Sequence, residues 1–284
     1  MNQLTVRPQD KLVLVVLSCS FSWGTKTDKE MSEAAVDEAG ATTGAVRVRK
    51  TLFPAASGKH IKAVQSALSA FYGNVHMFHT FSIGMKGSRA MPSAYYMTYM
   101  EKFGETRAHA DNALDDLESG YPQAIKDAQA LLGTAFKADD YPPIDEIRNY
   151  FSFEVKSLPM PAGDHIMNAL GAAVAADVNE HVNDMLQAAA DDAKARLRKA
   201  VARMAETLGK QGKIYDSMPQ QINDLATLLP EIAGITDDKD LQKMIKEVKS
   251  TLGGYEGDDF RAMGDAEKSS VGKAALAMLK KMGG

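Results

Sequence analysis

The chain has very little cysteine. Of 284 residues only Cys19 carries a thiol, so no internal disulfide can form and no cysteine pair exists for a zinc ribbon. Cys19 lies inside an apolar run, the setting of a small buried hydrophobe in a reducing compartment. Long hydrophobic stretches are missing as well, because nothing approaches the roughly 20 apolar residues that span a bilayer. The run LVLVVLSCSF, residues 12 to 21, is short and directly follows Lys11. Phe21 and Trp23 stand where a small-residue cleavage site would be needed, so the run reads as a buried strand rather than an export signal. The phosphate-cradling pattern G-x-x-x-x-G-K-[ST] is absent, and its nearest imitation, WGTKTDKE, lacks the glycines that let backbone amides wrap a phosphate. No G-x-S-x-G elbow presents a serine nucleophile. The formal net charge of -4 gives the chain as a whole no pull toward nucleic acid or an anionic membrane.

What is present is an ordinary globular composition, 45% hydrophobic and 25% charged, with enough length for one large domain or two modest ones. Residues 12 to 23 are β-branched and aromatic and predict a strand ending at Gly24. TDKEMSEAAVDEA then opens a helix, with Thr27 or Asp28 as the cap. GAVRVRK, residues 44 to 50, alternates like a short strand. Ile61, Val64, Leu68 and Phe71 line one face of a helix over 58 to 72. Val75, Met77, Phe81 and Ile83 suggest an extended piece. Pro92 fits the first turn of a helix running from Ser93 to Leu117, stopped by Gly120 and Pro122, with a second helix over 123 to 132. FKADDYPP is a loop, and YFSFEVKSLPMP alternates as a strand.

The texture changes after Pro161. Residues 164 to 209 contain no proline and, before Gly209, only Gly171. Val174, Val178, Val182, Met185, Ala189, Ala193, Leu197, Val201, Met204 and Leu208 recur every three or four residues. That is an amphipathic helix of about 45 residues, roughly 65 Å long. Its coiled-coil-like seam, represented by Val178, Met185, Leu197, Val201 and Met204, needs a returning helix or a second subunit along its length. Further helices are expected near 216 to 230, 238 to 251 and 264 to 282, with GGYEGDD as a flexible joint. The expected fold class is α+β and predominantly helical, a small N-terminal sheet with packed helices followed by a helical bundle. The expected divisions are 1–160, 161–252 and 253–284.

No catalytic, cofactor or metal site emerges. His76 and His79 are three apart with His60 upstream, but on a strand they face opposite sides, and His165 and His181 lie far away. ALDDLE, KADDYP and ITDDKD read as caps and solvated faces. One charge pattern stands out. Between 45 and 107 nine basic residues face two acidic ones, net +7, and between 108 and 147 two basic residues face nine acidic ones, net -7. The basic segment also carries Tyr95, Tyr96, Tyr99 and Phe103. Cations interleaved with rings suit a single-stranded DNA groove, for which Arg47, Arg49, Lys50, Lys86, Arg89 and Tyr95 are the candidate contacts. The competing reading is structural, with rings at helical spacing packed in a core and the two charged segments neutralising each other.

Two stretches carry a family likeness: DKLVLVVLSCSFSWGTKT, and HTFSIGMKGSRAMPSAYYMTYMEKF with its Gly84, Gly87 and Pro92. Followed by an aromatic strand and a long helix, they resemble a family of uncharacterised phage and prophage proteins defined as a domain of unknown function. The likeness covers about residues 10 to 210 and departs in an insert at about 31 to 45. Such proteins are often encoded beside a MoxR-type AAA+ ATPase and a von Willebrand factor A-type protein. The resemblance implies a non-enzymatic, cytoplasmic component of a phage-infected bacterium, without cofactor, oligomeric and partnered by one or both neighbours. It also implies that Lys86 and Arg89 stand at an exposed turn. The alternatives are a single-stranded DNA-binding or annealing protein and a phage structural or assembly protein.

Overall fold

The computed structural model describes residues 8–21, 23–161, 171–210 and 214–283. It is α+β and predominantly helical, with antiparallel sheets near the N-terminus and long helices after them. The strands are β1 (Leu12–Phe21), β2 (Thr25–Asp28), β3 (Val48–Thr51), β4 (Phe81–Ser82), β5 (Arg89–Pro92) and β6 (Phe151–Pro159). The helices are α1 (Lys29–Glu38), α2 (Lys59–Ala70), α3 (Tyr96–Leu132), α4 (Ala172–Gly209), α5 (Ser217–Ile235), α6 (Lys239–Thr251), α7 (Gly257–Ala262) and α8 (Asp265–Lys281). A four-stranded sheet runs in the order β4-β5-β1-β6, and β2 and β3 form a separate ribbon. No helix among the described residues is long and apolar enough to cross a membrane.

The chain separates into two compact units. One takes Met1–Val16, His79–Tyr96 and Ser157–Gly284; the other takes Leu17–Phe78 and Met97–Lys156. A single cut near residue 160 therefore misdescribes the chain, because two earlier segments belong with the C-terminal helices. Local sequence pattern marks where an element begins and ends, not which distant element it packs on.

In the unit of Leu17–Phe78 and Met97–Lys156, the core is aromatic. Trp23 packs edge-on against Phe53 and lies near Tyr121 and Tyr150. Phe71 meets Tyr99, Phe103 and Phe153. Antiparallel pairing of Thr25 with Thr51 and of Asp28 with Val48 sets the β2–β3 register. Asp28 then caps α1, its carboxylate accepting from Met31 N at 3.1 Å. The helix of 58 to 72 does not end there. Phe71–His76 continues in the wider π winding, and Met77–His79 remains helical, so the extended piece expected from Val75 and Met77 is confined to Phe81–Ser82. The stop expected at Gly120 and Pro122 is overridden as well: α3 runs 37 residues with Pro122 inside it. Pro122 forfeits one backbone bond, but Leu117, Tyr121, Ala124 and Ala128 on either side are buried, and that packing keeps the axis going.

In the other unit, β5 pairs with β1 from Leu12 opposite Pro92 to Val15 opposite Arg89. Pro92 thus ends a strand and, as expected, stands at the start of the helical run: it caps a 3-10 turn over Ser93–Tyr95 that leads straight into α3. α4 is unbroken for 38 residues, about 57 Å; the expected start at 164 falls outside the described residues. Leu197, Val201 and Met204 are fully buried, and α8 and α5 pack along α4 from within the same unit. Gly272 of α8 explains how closely α8 approaches: a Cβ there would lie 3.0 Å from Leu208 Cβ. The GGYEGDD segment is a packed corner rather than a flexible joint. Asn223 accepts from Gly254 N and donates to Tyr255 O, both at 2.9 Å, and Phe260 is fully buried. Residues 253–284 therefore belong to the bundle.

Candidate interaction site

The stretch HTFSIGMKGSRAMP folds as a β-hairpin. Phe81 pairs with Ala90 and Ser82 with Arg89, and Phe81, Ile83, Ala90 and Met91 are buried. The connecting turn needs left-handed backbone at Gly84 (φ 76) and Gly87 (φ 82), which a side chain would strain. Between them, Met85 is 49% exposed and Lys86 is exposed.

The base of the hairpin is locked onto α4. Asp192 Oδ2 accepts from Ser82 N at 2.7 Å, from Arg196 Nη2 at 2.8 Å and from Arg89 Nη2 at 3.2 Å. Thr80 is fully buried, and its carbonyl accepts from Arg89 at 2.9 Å and Arg196 at 2.5 Å. Arg89 Nε also donates to Thr80 Oγ1 at 2.7 Å. Arg196 lies 4.7 Å from the Phe81 ring centroid, a cation–π contact. One carboxylate thus serves two guanidiniums, and charge-assisted bonds of this kind fix geometry. Arg89, expected at the exposed turn, is instead half-buried in this clamp. Tyr95 is half-buried, 6.1 Å from the His79 ring, and its hydroxyl is pushed up first by burial and then by the charge of Glu231.

The other three basic candidates lie in the other unit. Arg47 and Arg49 are exposed, and Arg49 Nη2 donates to Thr25 Oγ1 at 2.6 Å. Lys50 is not available to any ligand, because its side chain is 5% exposed. Its ammonium lies 3.3 Å from Asp28 Oδ2 and 2.6 Å from Asp140 Oδ2 and donates to Ala135 O at 2.9 Å. The Asp140 contact is an ion pair with poor hydrogen-bond angles. Lys26 adds a second cation at 2.6 Å from Asp140 Oδ1. Burial favours the neutral amine of Lys50, but the two carboxylates outweigh it and hold the ammonium above its ordinary value. Burial likewise opposes ionisation of Asp140, and Lys26 and Lys50 outweigh it, so that carboxyl titrates below its usual range. Asp28 is held low first by the Met31 N–H, against burial, with help from Lys50.

Of the six proposed contacts, Arg47, Arg49 and Lys50 belong to one unit, and Lys86, Arg89 and Tyr95 to the other. Tyr99 is fully buried, with its hydroxyl 2.9 Å from His76 Nδ1, and Phe103 stacks on Phe153 at 4.5 Å. The acidic segment is used locally. Arg148 pairs with Asp115 and Glu118, and Arg107 with Asp111. Of the seam residues, Leu197, Val201 and Met204 are covered from within the chain, whereas Val178 and Met185 are half-buried. Among the described residues no group of three or more His, Cys, Asp or Glu side chains is arranged to hold a metal ion. Thr80, Asp140, Asp192 and Arg196 were not legible as partners: each is joined to a group 90 to 116 positions away only by the fold, and KADDYP read as a solvated loop although Asp140 is buried.

No family model, no curated protein and no solved structure matches this chain.

Proposed function

We propose that this chain is a non-enzymatic interaction component of a phage-encoded intracellular system, self-associating through α4 and recruited by a MoxR-type AAA+ ATPase or its von Willebrand factor A-type companion. The observation that carries this reading is the β4–β5 hairpin. An exposed thioether and an exposed ammonium, Met85 and Lys86, stand on a turn whose base is fixed to α4 by charge-assisted bonds. A pre-organised apolar-plus-cationic tip suits protein recognition, because little side-chain and loop order remains to be imposed on binding. The half-covered flank of α4 at Val174, Val178 and Met185 supports the oligomeric part. The partner identity comes from the family resemblance.

The test is co-purification with a MoxR-type AAA+ ATPase and a von Willebrand factor A-type protein from the same genome, with and without ATP. The expected result is a complex that Met85→Glu with Lys86→Glu abolishes while the circular dichroism spectrum stays unchanged. No association with either protein under any nucleotide condition removes the reading. The single-stranded DNA alternative has lost Lys50 and Tyr99 to the core, and a gel shift at low salt, where an electrostatic binder is strongest, tests what remains of it.

A further inference from the structure

A concavity of about 530 Å³ opens in the helical unit, lined by Lys194 and Arg198 of α4, Asp240, Lys243, Met244 and Glu247 of α6, and Lys281 and Met282 at the end of α8. Its volume falls in the range of small-molecule sites. Three helices deliver four cations to it, in a chain whose net charge is -4. These cations are not equivalent. Lys194 is committed, with its ammonium 2.5 Å from Asp238 Oδ2. Arg198 is positioned but unspent, since its Nε donates to Met282 O at 2.7 Å and its terminal nitrogens make no hydrogen bond or ion pair among the described residues. Lys243 makes no hydrogen bond or ion pair among the described residues, and Lys281 lies 4.0 Å from Glu247 Oε1. Met244 and Met282 are buried and supply an apolar floor. Asp240 and Glu247 oppose the cations, Glu247 loosely paired with Lys281, so with Lys194 set aside the charge facing the space is three positive against two negative.

We propose that this concavity binds an organic phosphate, with the phosphate held by Arg198, Lys243 and Lys281 and the organic part against Met244 and Met282. A guanidinium fixed through Nε keeps its outer edge for a bidentate phosphate contact, and the flanking lysines act as point charges. The two carboxylates leave only a small positive excess, which favours a monophosphate over a polyphosphate. A phosphate alone would leave most of the space empty, and the methionine floor accepts an aromatic or aliphatic group.

Adenosine monophosphate, inorganic phosphate and adenosine serve as probes on the full chain, read by thermal shift and calorimetry. The monophosphate raises the melting temperature in a saturable, salt-sensitive manner. Adenosine does not. Inorganic phosphate distinguishes the sources of the anion: equal affinity assigns recognition to the cations alone, and weaker affinity assigns a share to the methionine floor. Lys243→Glu with Lys281→Glu weakens binding on the order of tenfold for each charge reversed. The unliganded melting temperature falls only slightly, since both side chains are exposed and the lost contact is the loose pair of Lys281 with Glu247. Lys268→Glu with Lys273→Glu makes the same change in net charge away from the lining and leaves binding intact. The proposal fails if the monophosphate gives no shift, if adenosine binds as well as its phosphate, or if both double variants respond alike.

Discussion

The two units keep their folds by different means. The unit of Leu17–Phe78 and Met97–Lys156 buries rings and an ion cluster; the unit carrying α4 to α8 buries small and flexible aliphatic side chains between helices. Alanines 189, 190, 193 and 200 and methionine 204 are buried on α4, where close helix approach is set by size. Trp23, Phe53, Tyr121 and Tyr141 instead meet at ring distances of 5 to 6 Å, beside a lysine that two aspartates hold in the interior. The first arrangement depends chiefly on volume, its charged contacts, among them the Asp192 clamp and the Lys194–Asp238 pair, lying at the margins of the helix packing. The second depends on protonation. Trp23, the only tryptophan, reports on the ring-built unit by fluorescence, whereas helical circular dichroism draws on both units, with the larger share from the other.

The largest expected effect is that of Lys50→Ala. It leaves Asp28 and Asp140 facing one another without their shared cation, and breaking a buried pair in this way costs about 3–5 kcal/mol. Urea unfolding followed by Trp23 fluorescence should show an earlier transition, with a later helical transition remaining. A loss below about 1 kcal/mol would place the cluster among ordinary surface pairs. Met204→Ala comes next. It empties a fully buried site on α4 and is expected to cost about 3 kcal/mol, read by circular dichroism with the Trp23 transition unmoved. If both probes shift together in both variants, the units unfold as one block and the contrast between them disappears.

The pH response follows from the signs of the shifts. Asp28 and Asp140 are held below their ordinary values, so their contribution is complete above about pH 4 and drains away as pH falls through the depressed values. Lys50 is held above its ordinary value, so its contribution is complete below about pH 10 and is lost only as pH rises beyond that. Acid titration of the wild type should therefore move the Trp23 transition before the helical one. In Lys50→Met the acid dependence should flatten; an unchanged acid profile would show that other carboxylates set it.

A smaller effect is expected at Gly272→Val. The added side chain meets Leu208 at the α4–α8 contact, and overpacking of this kind costs about 1–2 kcal/mol, visible in the helical transition alone. At the bottom of the scale, Glu206→Gln removes the exposed pair with Lys210 and should leave both transitions where they were.

The sequence shows the elements better than their company. Periodicity located α4 to α6 and α8 because apolar spacing on a helix is a local property, and the Asp28 cap was legible for the same reason. Gly120 and Pro122 misled because breakers act through the backbone, while the burial of Tyr121 and Ala124 that overrides them depends on groups far along the chain. Likewise, Lys50 and Arg89 read as surface cations because nothing next to them in sequence announces Asp140 or Asp192. The competing, structural reading of Tyr99 and Phe103 as packed rings agrees with their placement, since their helical spacing is itself local.

The clamp on the hairpin has a consequence for synthesis. Ser82 and Arg89 are bonded to Asp192 across separations of 110 and 103 residues. At roughly 5–20 residues per second on the ribosome, the hairpin emerges about 5–20 s before its anchor exists. During that interval the segments of the ring-built unit are already being completed up to Lys156. Residues 79–96 must be carried as an unanchored excursion from a nascent fold. A translational pause between Lys156 and Asp192 would lengthen that exposure, and a chaperone that meets this chain meets it there, at Phe81, Ile83 and Met91, before they are buried.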